Sequence, residues 1–194
     1  MNVVGILLAA GSATRFGSDK LLHLLPHGVP IAVQAARHLK KEIARVVAVL
    51  RPGSAELQRL FSEEGVECVV CERADEGMGA SLACAARAAG AADGYLVALA
   101  DMPFVRPTSI AAVRDALAAG AVLAAPYFRA RRGHPVGISG RFFEDLLSSS
   151  GDEGARTLLG AHETDLVKVP VGDPGVIRDI DRPADLARLG ASAT

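Results

Sequence analysis

Short apolar blocks alternate with helix-periodic stretches along this chain. Continuous apolar runs at Val3–Ala9, Arg45–Leu50, Val66–Cys71, Tyr95–Ala100, Val122–Pro126, Pro135–Ser139 and Leu166–Val169 read as strands. Between them, Pro30–Lys41, Ser54–Glu64, Gly79–Ala89, Pro107–Ala119 and Arg141–Leu147 carry helical spacing. Pro30 and Pro107 sit near helix starts, where a missing N–H costs little. Strands apolar on both faces and separated by helices imply a mostly parallel sheet covered on both sides. The expected class is therefore α/β, a Rossmann-like doubly wound sheet in a single domain. No internal repeat or low-complexity linker interrupts it.

In such a fold, ligands bind beyond the carboxyl ends of the strands. That rule gathers three segments onto one rim: Gly11 to Lys20 after the first strand, Arg73 to Ser81 after the third, and Asp101-Met102-Pro103 after the fourth. The first is the most informative. Leu7-Leu8-Ala9-Ala10-Gly11-Ser12-Ala13-Thr14-Arg15-Phe16-Gly17-Ser18-Asp19-Lys20 runs from a buried strand into a small-residue loop with two cations. Gly11 is expected to turn the backbone with positive φ and to admit a ligand closely. Successive N–H groups there would form an anion cradle, with Arg15 and Lys20 beside it. The spacing matches neither the P-loop nor the dinucleotide fingerprint. The plain alternative is a glycine-rich turn.

Further segments carry chemistry. Leu96–Ala100 delivers Asp101 straight from an apolar run, and such a carboxylate needs a cation or donors. Mg²⁺ shared with nucleotide phosphates would satisfy it. Asp179 and Asp181 flank Ile180, and alternate residues of an extended segment face one side. They either complete a metal site with Asp101 or, in the case of Asp181, cap a helix beginning at Pro183. Glu76-Gly77-Met78-Gly79-Ala80-Ser81 opens a helix with bare backbone, suited to a base or phosphate or to an ordinary helix entry. Arg131-Arg132-Gly133-His134-Pro135 is a basic turn that would clamp an anion or stand solvated. Gly151-Asp152-Glu153-Gly154-Ala155-Arg156 reads as a helix start with Asp152 as N-cap and a cation oddly placed in the first turn.

Composition narrows the classes. The chain has 194 residues, half of them apolar, with net charge −1, so a full core is available and no basic field for nucleic acid exists. Trp is absent and aromatic residues are few, which argues against a base-stacking surface. No apolar run reaches membrane-spanning length. Met1-Asn2-Val3-Val4 lacks the basic segment of a signal peptide, so a cytoplasmic protein is expected. Cys68-Val69-Val70-Cys71 lies within a strand-like run, and with Cys84 it is expected to provide buried free thiols, not a metal or redox site.

Taken together, from Leu7 to Leu186, these segments resemble the MobA-like nucleotidyltransferases, most closely the molybdenum cofactor cytidylyltransferase branch. The family signature L-A-A-G-x-S-x-R-x-G-x-x-K is met by Leu8, Ala9, Ala10, Gly11, Arg15, Gly17 and Lys20, although Ser12 directly follows Gly11 and Ala13-Thr14 shift the small polar part. Further matches are Glu76 to Ser81, Ala100 to Pro103, Arg132 to Val136, Gly151 to Arg156 and Asp179 to Pro183. The resemblance implies transfer of CMP from CTP to the terminal phosphate of molybdopterin, with release of pyrophosphate. Ala10 in place of glycine points to cytidine over GTP. Arg15, Lys20 and Asp101 would be catalytic. Leu8, Ala9, Ala10, Gly11, Ser12, Gly77, Met78 and Ser81 would join Arg15 and Lys20 around the nucleotide. Arg132, His134, Asp152 and Arg156 would face the acceptor, and Asp101 with Asp179 or Asp181 would hold Mg²⁺. Residues 1–105 would then bind nucleotide and 106–190 the acceptor, within one domain. A molybdoenzyme or its maturation factor would receive the product. The alternatives are another nucleotide or acceptor, or a molybdenum cofactor carrier without chemistry.

Overall fold

The computed structural model describes residues 1–11, 20–152, 154–181 and 185. Strands β1 (Val3–Leu8), β2 (Arg45–Leu50), β3 (Glu67–Val70) and β4 (Gly94–Leu99) run parallel in the spatial order β3-β2-β1-β4. Strand β7 (Val136–Ser139) pairs antiparallel with β4 on one side and with β5 (Leu123–Phe128) on the other. Strand β8 (Leu166–Pro170) runs parallel to β5 along its far edge. The sheet is thus mostly parallel, as the continuous apolar strands predict.

Period-two alternation sorts β1 between two cores. Leu7 and Ala9 join Leu39, Phe61 and Val113 on the face covered by α1 (Ile31–Glu42), α2 (Ala55–Glu63) and α4 (Pro107–Ala118). Val4, Ile6 and Leu8 join Leu82, Ala85 and Leu146 on the face covered by α3 (Met78–Ala89) and α5 (Phe143–Leu147). The alanines of α3 let this helix lie close against β1 and β2.

The structure departs from the sequence-based expectation at two connections. Arg131–Arg132 forms a short strand, β6, paired with Tyr127 and Phe128 of β5. Its hairpin turn places Arg129 and Ala130 at φ 47° and 64°, a conformation their side chains do not advertise. The helix expected from Gly151 instead begins at Arg156 as α6 (Arg156–Ala161), with Ala155 at its N-cap. Gly151 and Gly154 take φ of 65° and 50°, which no right-handed helix accommodates.

Candidate active site

The carboxyl ends of β1 to β4 open into a cleft of about 760 Å³. Strand pairing continues one residue past each strand: Ala9 N–H donates to Val49 O, Ala100 N–H to Leu8 O and Cys71 N–H to Leu50 O. These bonds set the floor of the cleft, formed by Leu8, Ala9, Ala10 and Gly11. Gly11 does not adopt the positive φ expected of it. Among the described residues, a Cβ there would meet nothing within 4 Å. Ser12 and Arg15 lie outside the described residues.

At one wall, Lys20 Nζ donates to Asp101 Oδ2 at 2.9 Å and to Asp181 Oδ1 at 3.2 Å. Burial lowers the Lys20 pKa, but Asp101 and then Asp181 outweigh it and hold it above the ordinary lysine value. Asp101 closely follows β4. Asp181 and Asp179 arrive on an extended segment tied to it, because Ile180 N–H donates to the Asp101 carbonyl at 3.0 Å. Ile180, 1 % exposed, turns down onto Leu25, Ile31 and Phe104. Its neighbours therefore turn up together. Oxygens of Asp101, Asp179 and Asp181 lie within 4.8 Å of one another. Three oxygen donors grouped this closely are the donor type that a hard divalent cation takes, and a slight drawing together would put all three on one ion. Asp179 is exposed, yet partial burial, and then the charges of Asp181 and Asp101, raise its pKa above the ordinary carboxylate value.

At the opposite wall, Gly77, Met78 and Ser81 line the cleft at the start of α3, and Met78 is 43 % exposed. The second glycine of this segment has a structural use. Gly79 N–H donates to Gly151 O at 2.7 Å, and a Cβ on Gly79 would stand 2.3 Å from Ser150 O. The Glu76–Ser81 segment and the Gly151–Arg156 turn are thus two halves of one packed corner. Gly154 closes on Met78, and Asp152 enters the cleft beside Gly77. Glu76 is held outside by a two-pronged pair with Arg73.

Arg132, His134 and Arg156 are not among the described residues that line the cleft. Arg132 is exposed on β6, and Arg156 is exposed at the start of α6. His134 packs beneath the rim with Leu99, Met102 and His38, and its backbone N–H donates to Val176 O. Burial lowers its imidazole pKa, so the ring is neutral at pH 7. Of the charged cleft residues that the sequence motifs do not single out, Glu72 and Arg51, the cation is Arg51. It immediately follows β2, and the strand-end rule applied to the second strand would have named it. Cys68 and Cys71 point to opposite faces of the sheet, and all three thiols are free, so the C-x-x-C spacing builds no joint site.

The pattern of the MobA-like NTP transferase domain matches residues 5–166. The chain belongs to the MobA-like NTP transferase family. It is a nucleotidyltransferase by that membership. It is similar to the purine catabolism protein PucB of Bacillus subtilis (strain 168), at 28% identity over 193 residues covering 94% of this chain and 93% of PucB. It is also similar to nicotine blue oxidoreductase of Paenarthrobacter nicotinovorans, at 29% identity over 195 residues and 96% of each chain. Among solved structures, Rv0371c of Mycobacterium tuberculosis H37Rv shares the fold, with a TM-score of 0.83, 25% identity, and 97% and 96% of the two chains covered. Its complex with manganese superposes with a TM-score of 0.81 at 24% identity. Within this MobA-like chain, Lys20 and Asp101 lie inside the matched region, whereas Asp179 and Asp181 lie beyond it.

Proposed function

We propose that this MobA-like protein transfers CMP from CTP to the terminal phosphate of molybdopterin or the molybdenum cofactor. The observation that carries this reading is the Lys20–Asp101–Asp181 ion cluster, with Asp179 beside it, at the wall of a strand-end cleft. An acceptor phosphate oxygen attacks the α-phosphorus of CTP. That P–O bond forms as the bond to the bridging oxygen breaks, and pyrophosphate leaves with the electron pair. The acceptor is ionised at neutral pH, so no strong general base is required, and catalysis rests on alignment and charge neutralisation. Lys20 and, by the family resemblance, Arg15 supply positive charge to the triphosphate.

Mg²⁺ held by Asp101 with Asp179 or Asp181 would spread the charge of the triphosphate. The three-oxygen donor set supports a divalent ion, and Rv0371c is known as a manganese complex. Gly77, Met78 and Ser81, with Asp152 beside them, offer the base a partly bare wall across from the Asp101 cluster. Ala10, through the family resemblance, supports cytidine. Arg129, Arg131 and Arg132 on the β5–β6 hairpin support an anionic acceptor approaching from residues 106–190. The reaction would run in the cytoplasm, with a molybdoenzyme or its maturation factor receiving the product.

The test is pyrophosphate release with Mg²⁺ and each of CTP, GTP, ATP and UTP, with and without molybdenum cofactor. Release with CTP plus cofactor alone is the expected result. Release with GTP instead overturns the base. Cofactor binding without nucleotide consumption would make the protein a carrier.

A further inference from the structure

Asp101 follows a six-residue strand, but Asp179 and Asp181 ride on a strap, residues 171–181, that is mostly irregular. Hydrogen bonds at Val171, Asp173, Val176 and Ile180 tie the strap down. Val171 N–H donates to Tyr127 O at 3.0 Å. Asp173, 3 % exposed, accepts from Arg106 N–H and Ser109 Oγ at 2.8 Å each and from Gly175 N–H at 2.9 Å, so it fastens the strap to the start of α4. Val176 O accepts from His134 N–H at 2.8 Å, and Ile180 N–H donates to Asp101 O at 3.0 Å.

Two glycines make these contacts possible. A Cβ on Gly133 would stand 2.2 Å from Val176 O, and one on Gly175 would stand 2.0 Å from Phe104 O. Neither glycine needs positive φ, so neither is required by backbone conformation. Their bareness serves the close approach of two main chains. The strap is therefore gripped between the Gly133–His134 corner and the Phe104 backbone, three residues beyond Asp101.

We infer that Gly133, Asp173 and Gly175 are positioning residues that register the strap so that Asp179 and Asp181 meet Asp101 and Lys20. None of the three reaches the cleft. A methyl group at position 133 or 175 must displace the strap by about 1 Å, a scale at which a remote change lowers activity about 100-fold. This gives the Arg132-Gly133-His134-Pro135 turn a use that involves no contact with substrate. The inference rests on the carboxylate-metal reading above for its consequence, though not for its geometry.

The experiment uses Gly133→Ala and Gly175→Ala, with Gly140→Ala as the control. Gly140 is equally tight, its Cβ falling 2.0 Å from Ala92 O, but it lies after β7, away from the strap contacts. Mn²⁺ affinity is read by electron paramagnetic resonance, and amide hydrogen exchange is followed at Ile180. Gly133→Ala and Gly175→Ala should weaken Mn²⁺ binding about 10- to 100-fold. They should also strip protection from the Ile180 amide while Ile6 and Val47 keep theirs. Gly140→Ala should lower the melting temperature and leave both readouts alone. Unchanged Ile180 protection in Gly133→Ala, or equal loss in Gly140→Ala, overturns the inference. If the alanine variants do not fold, Asp173→Asn takes their place: lost Ile180 protection with weakened Mn²⁺ binding supports the inference, and unchanged protection overturns it. If the unaltered protein binds no Mn²⁺, the metal reading fails, and exchange at Ile180 still decides the strap.

Discussion

Asp101 and the Asp179–Asp181 pair face the same lysine, yet the chain supports them in opposite ways. Asp101 leaves a strand hydrogen-bonded on both edges, to β1 and β7, and buried among apolar side chains. Its position is a property of the sheet. The pair is delivered by a strap fixed at a handful of points, one of them a single hydrogen bond from Ile180. The first carboxylate is therefore robust to changes elsewhere. The second two depend on glycines and on a buried aspartate whose side chains never touch the cleft. A site built from one rigid and one strapped component lets remote substitutions tune it without disturbing the core.

The largest effect is expected at the rigid member. Asp101→Ala should lower turnover about 1000-fold, since it removes several kcal/mol of charge stabilisation. It should cost little stability, because Lys20 keeps Asp181 as a partner and one carboxylate leaves a crowded cluster. Steady-state kinetics and thermal melts check this, and near-normal turnover would remove Asp101 from the chemistry. Lys20→Ala should have the next largest effect, a loss of about 10- to 100-fold in kcat/KM for the nucleotide, the worth of one point charge on a phosphate. It leaves Asp101 and Asp181 facing each other without their cation. The metal-free variant should therefore melt lower than the unaltered protein, and Mn²⁺ should recover most of the difference. Recovery that failed would mean the two carboxylates do not share an ion.

How legible each component was in the sequence follows the same division. β1 to β4 announce themselves as apolar runs, and β2 falls at the expected Arg45–Leu50 because burial on both faces leaves only one reading. Asp101, directly after such a run, is equally plain, and the alternation of Asp179, Ile180 and Asp181 predicts a shared side. What the sequence does not show is tertiary. Gly79 is a contact for Ser150, and Gly133 one for Val176, across separations no local pattern encodes. The Arg129–Ala130 turn has positive φ without glycine, so no turn signal marks the hairpin. Gly151 and Gly154 were visible as glycines, but only their φ values explain why α6 starts late.

The smallest effect is a titration, and it isolates the strapped member. Burial first, and then the charges of Asp181 and Asp101, raise the pKa of Asp179 above the ordinary carboxylate value. A carboxyl whose folded pKa is raised contributes stability that is fully present below its unfolded pKa. That stability is lost as pH rises through the folded pKa. Metal-free protein should therefore lose this increment between the ordinary carboxylate value and the raised one. Glu56, Glu67 and Glu76, whose pKa values are lowered by Arg59, Arg45 and Arg73, give the opposite slope over the acid range, so the total is a poor guide. The comparison of Asp179→Asn with the unaltered protein cancels those contributions. The difference in melting temperature between the two, measured in chelator, should grow in favour of the variant as pH rises through that window and then level off. Added Mn²⁺ should reverse its sign, because the charged form of Asp179 is then the useful one. A difference that stays flat with pH would place Asp179 in open solvent, outside the cluster that Asp101 anchors.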